Sequence, residues 1–150
     1  MIKLYLDLCC FNRPFEDQSQ LIIRLQTEAK LAIQEDIQNG LCSLVWSAIL
    51  DLENSANPDP QRREAIAAWF TMAAIDIEAT SAVEQKAESV GKIGLKAMDA
   101  LHVASALEGK ADFFLTTDRT IVRKLKSDHR IRVMDPIDFI RELERDQDED

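Results

Sequence analysis

Short apolar segments alternate with segments of helical periodicity along this chain of 150 residues, and this alternation constrains the fold more than any other feature. Buried strands are predicted at residues 2–6, 41–45, 75–77, 113–116 and 131–134. Strands that alternate with helices are typical of an α/β fold with a mostly parallel sheet. The length and the apolar fraction of 46% fit one domain with a sizeable core.

The segments between the predicted strands carry apolar residues at helical spacing. One helix is predicted from Ser19 to Asn39, where Asn39-Gly40 is a stop signal. Further helices are expected from Ser47 to about Asn57, at residues 61–73, 80–90, 96–108 and 119–126, and from Pro136 into the acidic end of the chain. The helix at 61–73 is expected to turn Ile66, Trp69 and Phe70 inward, and Asn12-Arg13-Pro14 is typical of a break.

The net charge of −9 is unevenly distributed. Residues 142–150 hold six acids and one arginine, so we predict an acidic tail after a domain at residues 1–141. By contrast, residues 119–132 carry six basic side chains against Asp128 alone. A basic patch beside an acidic metal site suits a phosphate polymer, although the same charges also fit a solvated helix face.

Composition also bears on location and redox chemistry. The apolar segments are far shorter than a membrane span, and residues 1–7 lack the anatomy of a signal peptide, so a cytoplasmic protein is expected. The cysteines at positions 9, 10 and 42 match neither a disulfide framework nor a zinc pattern. We expect them to be small buried hydrophobic residues in a reducing compartment.

Four carboxylates stand where apolar segments begin or end: Asp7, Glu53, Asp99 and Asp118. Asp7 and Asp118 follow predicted strands, and α/β sheets bind ligands at the carboxyl ends of their strands. A carboxylate beside a core element is costly unless it is paired, hydrogen-bonded or bound to a cation. Oxygen-only sites select Mg²⁺ or Mn²⁺, and such an ion can activate water for attack on a phosphodiester.

Each of these residues also has a simpler interpretation. Asp118 is well placed to N-cap the following helix, and Asp99 to complement a helix dipole. Glu53 could lie on a helix surface, with Asp51 as a rival two residues earlier. His102 follows Asp99 by three residues on the same helix face, and such a histidine is more often a packed core residue than a ligand.

Four segments resemble, in the same order, the motifs of PIN-domain proteins. They are residues 4–7, 47–53, 98–106 and 111–118, and Asn12-Arg13-Pro14-Phe15 is similar to a variant from a bacterial branch of the family. The resemblance covers nearly the whole chain. It implies a three-layer α/β/α sandwich of Rossmann-like type and a Mg²⁺- or Mn²⁺-dependent endoribonuclease. It also implies that Asp7, Glu53, Asp99 and Asp118 are the metal ligands and catalytic residues.

The resemblance implies partners as well. Many bacterial relatives are toxins of type II toxin–antitoxin pairs, commonly homodimers held inactive by a small antitoxin. We therefore expect an RNA substrate, an antitoxin and a homodimer, with Arg13, Arg119, Arg123 and Lys124 as RNA-binding residues. The chain departs from the family in having Leu8-Cys9-Cys10 after the first aspartate, where a Ser, Thr or Asn is common. An inactive PIN-like module that binds RNA or a protein partner is the alternative.

Overall fold

The sheet has five strands, and all of them run parallel. In the computed structural model, which describes residues 1–149 and the side chains of residues 1–145, the order is β3-β2-β1-β4-β5. Asp150, the end of the predicted acidic tail, lies outside the described residues. The strands are β1 (Ile2–Leu6), β2 (Cys42–Ser47), β3 (Ala73–Ile77), β4 (Phe113–Leu115) and β5 (Arg132–Met134). The prediction of a mostly parallel sheet is confirmed.

Helices cover both faces of this sheet. Within residues 1–149 they are α1 (Leu8–Asn12), α2 (Leu21–Gln38), α3 (Ala48–Ser55), α4 (Pro60–Ala67), α5 (Ser81–Gly91), α6 (Ala97–Glu108), α7 (Arg119–Leu125) and α8 (Pro136–Glu149). Helices α2 and α8 pack together, as do α5 and α6. Right-handed crossovers that leave β1 and β3 in opposite directions put these two pairs on opposite faces. The architecture is therefore the predicted three-layer α/β/α sandwich.

The central strand β1 is buried on both faces. Leu4, Tyr5 and Leu6 are at most 1% exposed, and the ring of Tyr5 stacks on Phe114 of β4 at 5.4 Å between centroids. At the end of α6 the backbone comes so close to the sheet that a Cβ on Gly109 would lie 2.7 Å from Val45 Cγ1. Only glycine fits there without a shift, which lets α6 approach the sheet closely.

Two elements of the structure differ from the prediction. Helix α1 was not predicted; it begins directly after β1 because the Asp7 side chain accepts the Leu8 N–H and so caps it. The helix predicted at 61–73 ends at Ala67 and continues as a 3₁₀ helix over Ala68–Met72. The expectation that Phe70 faces inward is wrong, since it is 48% exposed: the tighter 3₁₀ period rotates it off the inward face of Ile66.

The three cysteines lie in or beside the core. Cys10 and Cys42 are buried, Cys9 is half-buried, and all three are free. Among residues 1–149, none of the helices combines the length and the hydropathy that a membrane span requires.

The sheet order creates a crevice at one edge. The chain leaves β1 for β2 on one side and returns to β4 on the other, so the strand order reverses between β1 and β4. Crossover connections diverge at such a switch point and leave room for a ligand at the carboxyl ends of the strands. Asp7 directly follows β1, and Asp118 comes three residues after β4 ends.

Candidate metal centre

Asp7 is almost fully buried, with 7% of its surface exposed. Its Oδ1 accepts the backbone N–H of Leu8 at 2.8 Å, and its Oδ2 accepts the hydroxyl of Thr116 at 2.9 Å. Burial raises the pKa of the Asp7 carboxyl, and the charge of Glu53 acts in the same direction, against the lowering effects of His102 and Thr116. The carboxylate is held in place by hydrogen bonds, yet its negative charge is not fully compensated.

Thr116 provides the hydroxyl contact that the sequence lacks directly after Asp7. Besides donating to Asp7, its Oγ1 accepts the backbone N–H of Asp118 at 3.1 Å, so one hydroxyl links two of the four acids. Cys9 Sγ lies 3.5 Å from both Asp7 Oδ2 and Thr116 Oγ1. Thr116 was not among the site residues predicted from the sequence, although it stands two residues before Asp118 in the fourth motif segment.

Glu53 lies on α3, beside Asp7, and its side chain is one-third exposed. One ligand atom each from Asp7, Glu53 and His102 lie within 4.8 Å of one another. His102 Nε2 is 3.1 Å from Glu53 Oε1 and 3.9 Å from Asp7 Oδ1. Among the residues that the structure describes, this is the one group of three or more side chains with metal-ligating geometry.

His102 is fully buried, as expected of a core histidine, but it also contacts the site. Its Nδ1 lies 2.7 Å from Tyr5 Oη, which lies 2.7 Å from Ser47 Oγ. Burial raises the pKa of the Tyr5 phenol, so the phenol stays protonated and its O–H can donate a hydrogen bond to Nδ1. On the other side of the ring, Nε2 lies 3.1 Å from Glu53 Oε1. The chain of buried hydrogen bonds fixes Glu53 from below.

Asp99 lies in the first turn of α6 and shares a small cavity with Asp118. Burial raises the pKa of Asp99, and the charges of Asp7, Asp118 and Glu53 raise it further. Asp99 and Asp118 stand outside the group of three described above. Electrostatically, however, Asp99 is coupled to each of the other three predicted acids.

Asp118 caps a helix and also faces the site. Its Oδ1 accepts the backbone N–H groups of Thr120 and Ile121 at 2.8 and 3.3 Å, which makes it the N-cap of α7. Its Oδ2 accepts no hydrogen bond within the described part of the chain. The rival acid Asp51 is differently placed: it is exposed, and its Oδ1 accepts the indole N–H of Trp46 at 2.9 Å.

The four predicted RNA-binding residues fall into two classes. Arg119 and Arg123 are exposed on α7 and line a groove with Thr116 and Thr117. Neither guanidinium has a hydrogen bond or ion pair to any side chain or carbonyl among residues 1–145. These two cations are thus available to a ligand beside Asp118.

Arg13 and Lys124 have internal partners instead. The Nε of Arg13 donates to Gln26 Oε1 at 2.8 Å, and one of its terminal nitrogens pairs with Glu16 at 2.5 Å. Lys124 Nζ donates to the carbonyl oxygen of Gly94 at 2.7 Å. Both side chains are therefore tied to the fold.

The residues present fit a hard divalent cation. The converging atoms are mainly carboxylate oxygens, which Mg²⁺ and Mn²⁺ prefer. Two of the acids, Asp7 and Asp99, have raised pKa values, chiefly because burial removes solvent from their carboxylates and also because neighbouring carboxylates repel their charge. A cation between them would relieve this repulsion, and no lysine or arginine ion pair to Asp7, Glu53, Asp99 or Asp118 is found in the described residues.

Comparison with known proteins gives a fold. No protein-family model matches the chain, and no curated protein matches it significantly. Among solved structures, 14 chains match. One belongs to the crystal structure of VapBC2 from Rickettsia felis bound to a DNA fragment from their promoter; it is 11% identical, has a TM-score of 0.55, and covers 88% of this chain and 97% of that chain. The chain therefore shares a fold with this structure, and the predicted PIN-like architecture is confirmed.

Proposed function

We propose that this chain is a PIN-domain endoribonuclease that hydrolyses RNA phosphodiester bonds with Mg²⁺ or Mn²⁺. The observation that carries the proposal is the approach of Asp7, Glu53 and His102 to within 4.8 Å at the switch point of a parallel sheet. The electrostatic coupling of Asp99 to Asp7, Glu53 and Asp118 supports a single site. The fold that the chain shares with the VapBC2 structure supports the same class.

The proposal assigns a role to each acid. Asp7, Glu53 and Asp99 would hold the principal cation. Asp118 would complete the site through Oδ2, the oxygen that does not cap α7. The bound cation would polarise the phosphodiester and lower the pKa of an attacking water. The protein holds the ligands ready, since Leu8 N–H and Thr116 fix the two oxygens of Asp7.

Arg119 and Arg123 are proposed to attract the RNA backbone, because both are exposed beside Asp118 and without internal partners among residues 1–145. Arg13 and Lys124 would have to exchange Gln26, Glu16 or the Gly94 carbonyl for RNA before they could contribute. We propose that Arg119 and Arg123 carry most of this attraction.

Cleavage of a fluorescent single-stranded RNA tests the proposal. The wild-type protein should cut it with Mg²⁺ or Mn²⁺ and stop cutting in excess chelator. Asp7→Asn should reduce the rate by at least about a hundredfold, because it removes charge from the best-ordered ligand. Equal cleavage by wild type and nuclease-free Asp7→Asn protein would refute the assignment.

The partner is also proposed. Since one structural neighbour is a VapBC2 complex, we propose that this chain is the cytoplasmic toxin of a type II pair, a homodimer inhibited by a small antitoxin. A short reading frame upstream, encoding a basic DNA-binding segment, should accompany the gene. Its product should co-purify with this chain and abolish cleavage, and light scattering should give a dimer mass. Cleavage that is unaffected by this product would refute the toxin assignment. A monomer mass would refute the homodimer.

An inactive PIN-like binding module is the second candidate. The net charge of −9 and the apolar Leu8 directly after Asp7 favour it. Thermal unfolding with and without Mn²⁺ separates the two, because a cation that binds only the folded protein raises its melting temperature. A module without a metal site should show no Mn²⁺-dependent gain.

A further inference from the structure

A second pocket opens on the other side of the candidate metal centre from Arg119 and Arg123. Leu8, Asn12, Glu53, Asn57 and Arg62 contribute to its lining. These residues come from α1, α3, the loop after α3, and α4. Glu53 belongs to both the pocket and the metal centre, so a ligand in one is adjacent to a ligand in the other.

Arg62 is a half-buried cation that lacks a full set of partners. One terminal nitrogen donates to the carbonyl oxygen of Phe15 at 2.9 Å, and the guanidinium carbon lies 5.7 Å from the centre of the Phe15 ring. These contacts hold the side chain in place. Its Nε is buried without a hydrogen-bond partner, and no acid lies within ion-pair distance among the described residues. A buried N–H without an acceptor is costly, and a guanidinium matches the oxygens of a phosphate.

Asn12 adds another unused donor. Asn57 is 9% exposed, and its Nδ2 lies 3.4 Å from Asn12 Oδ1. This contact turns the oxygen of Asn12 toward Asn57 and leaves its NH₂ group without an acceptor among residues 1–145. The pocket therefore offers N–H donors from Arg62 and Asn12 to an anion, and the Glu53 carboxylate borders it on the side of the metal centre.

The strand order places this pocket relative to the site. Arg62 lies on α4, which follows β2 and α3, whereas Arg119 and Arg123 lie on α7, which follows β4. Strand β1 and Asp7 lie between β2 and β4 at the carboxyl edge of the sheet. A polyanion that crosses this edge would meet cations on both sides and the acid cluster in the middle.

We propose that Arg62, assisted by Asn12, binds the RNA phosphate next to the phosphodiester that is cut, on the β2 side of the metal centre. The strand of RNA would then run from the Arg119 and Arg123 groove, across Asp7, to Arg62. This proposal rests on the proposed nuclease function. Arg62 was not among the site residues predicted from the sequence, because nothing in the sequence around it marks it as a ligand residue.

The shortest substrates test this subsite directly. A dinucleoside monophosphate contains only the phosphodiester to be cut, and a terminal 5′- or 3′-phosphate adds the neighbouring group. One of the two additions should raise kcat/KM of the wild-type protein about tenfold, the value of one charge-assisted contact. With the unphosphorylated compound, kcat/KM of Arg62→Gln should be within about twofold of the wild-type value. Arg62→Gln should lose the increase in kcat/KM that the terminal phosphate gives, whereas Arg62→Lys should keep part of it.

Arg24→Gln is the matched control, since it removes one exposed positive charge from α2. It should keep the full gain from the terminal phosphate. An unchanged gain in Arg62→Gln, or equal losses in Arg62→Gln and Arg24→Gln, would overturn the subsite and leave the nuclease proposal standing. Melting temperatures of the three variants check that each one folds.

Binding separates this subsite from catalysis. In excess chelator, the affinity for a fluorescent hexanucleotide should fall as the salt concentration rises. The slope of log affinity against log salt concentration should be about 0.7 smaller in magnitude for Arg62→Gln than for wild type. If wild type binds but never cuts, and Arg62→Gln lowers the slope, the nuclease proposal fails and the phosphate subsite stands. If wild type neither binds nor cuts, both fail.

Discussion

Two regions of this protein bury charge in opposite ways. At the carboxyl edge of the sheet, Asp7 is 7% exposed and lies beside Glu53, and burial together with the charge of Glu53 raises its pKa. Lys30, a residue of α2, is 3% exposed, and its Nζ lies 5.2 Å from the ring centres of both Phe11 and Trp69. Burial lowers the pKa of Lys30 to about 8.

The difference separates a structural charge from a functional one. The partners of Lys30 are two aromatic faces and the side-chain oxygen of Gln34, all supplied by the chain itself. The acids gather around one histidine and find no lysine or arginine partner among residues 1–145. A partly buried cluster of like charges that the fold does not neutralise points to an external cation.

The largest expected effect distinguishes Glu53 from its rival Asp51. Glu53→Gln should lower the rate of RNA cleavage by at least about a hundredfold, because it weakens a cation ligand. The cleavage rate of Asp51→Asn should stay within about twofold of the wild-type rate, since Asn keeps an oxygen that can accept the Trp46 indole N–H. Steady-state cleavage assays with Mn²⁺ make the comparison, and the opposite ranking would move the ligand to Asp51.

Removing the buried cation should stabilise the fold. Lys30→Met keeps the length of the side chain without its charge, and we expect a gain of about 2 kcal/mol in the free energy of unfolding near pH 7. The pKa of Lys30 in the folded protein is about 8, below its ordinary value of 10.5. The unfolded chain therefore holds the proton longer, so wild-type stability should rise from about pH 8 to 10.5.

Urea unfolding of wild type and Lys30→Met across this pH range makes the measurement. The two stabilities should converge as the pH rises, because Lys30 then becomes neutral in both states. Lys110→Met is the control, since Lys110 is exposed and should change stability little. A loss of stability in Lys30→Met would mean that the aromatic contacts outweigh the desolvation of the ammonium.

A smaller gain is expected from Asp7→Asn in the absence of metal. The pKa of Asp7 is raised, so between its unfolded and folded pKa values the folded protein holds the extra proton. Its contribution to stability is therefore greatest at low pH and declines as the pH rises through the folded pKa. Asp7→Asn should add about 1 kcal/mol at pH 7, while Mn²⁺ should raise the melting temperature of wild type only.

Calorimetry in chelator and in Mn²⁺ tests both halves of this prediction. Lower stability of Asp7→Asn in chelator would show that the negative charge of Asp7 supports the fold. A Mn²⁺-dependent shift of equal size in both proteins would place the metal elsewhere.

The smallest effect concerns the basic segment 119–132. Arg123 faces the groove without an internal partner among residues 1–145, whereas Arg130 is 2.7 Å from Asp128 Oδ2. Arg123→Gln should reduce the salt slope of RNA binding by about 0.7, and Arg130→Gln should leave it unchanged. Equal slopes in the two variants would favour a merely solvated helix face. Fluorescence anisotropy over a series of salt concentrations gives the slopes.

Much of the fold could be predicted because local signals agreed with it. The strand predicted at residues 2–6 coincides with β1, because the short segment is mostly apolar and the Asp7 carboxylate marks its end. The helix predicted at 96–108 differs from α6 by one residue. Local signals failed where a long-range contact decided the outcome, as at Ala68–Met72, where the chain turns to enter β3.

The candidate site was predictable in part. The four acids were selected by their positions beside apolar segments, and Asp118 as a helix cap follows from sequence spacing alone. The contact between His102 and Glu53 spans 49 positions, and no local pattern announces it. The same holds for Arg13, whose side chain is taken up by Gln26 across 13 positions.

The sequence by itself determined the α/β class, the parallel sheet and which acids stand at the ends of core elements, because these depend on hydrophobic period and on neighbours along the chain. Only the tertiary structure decided which of these acids contact Thr116 and His102, and that Arg62 and Glu53 line one pocket. The reason is physical: burial, pKa and hydrogen bonding depend on groups that folding brings together from distant positions, such as Asp7 and Thr116.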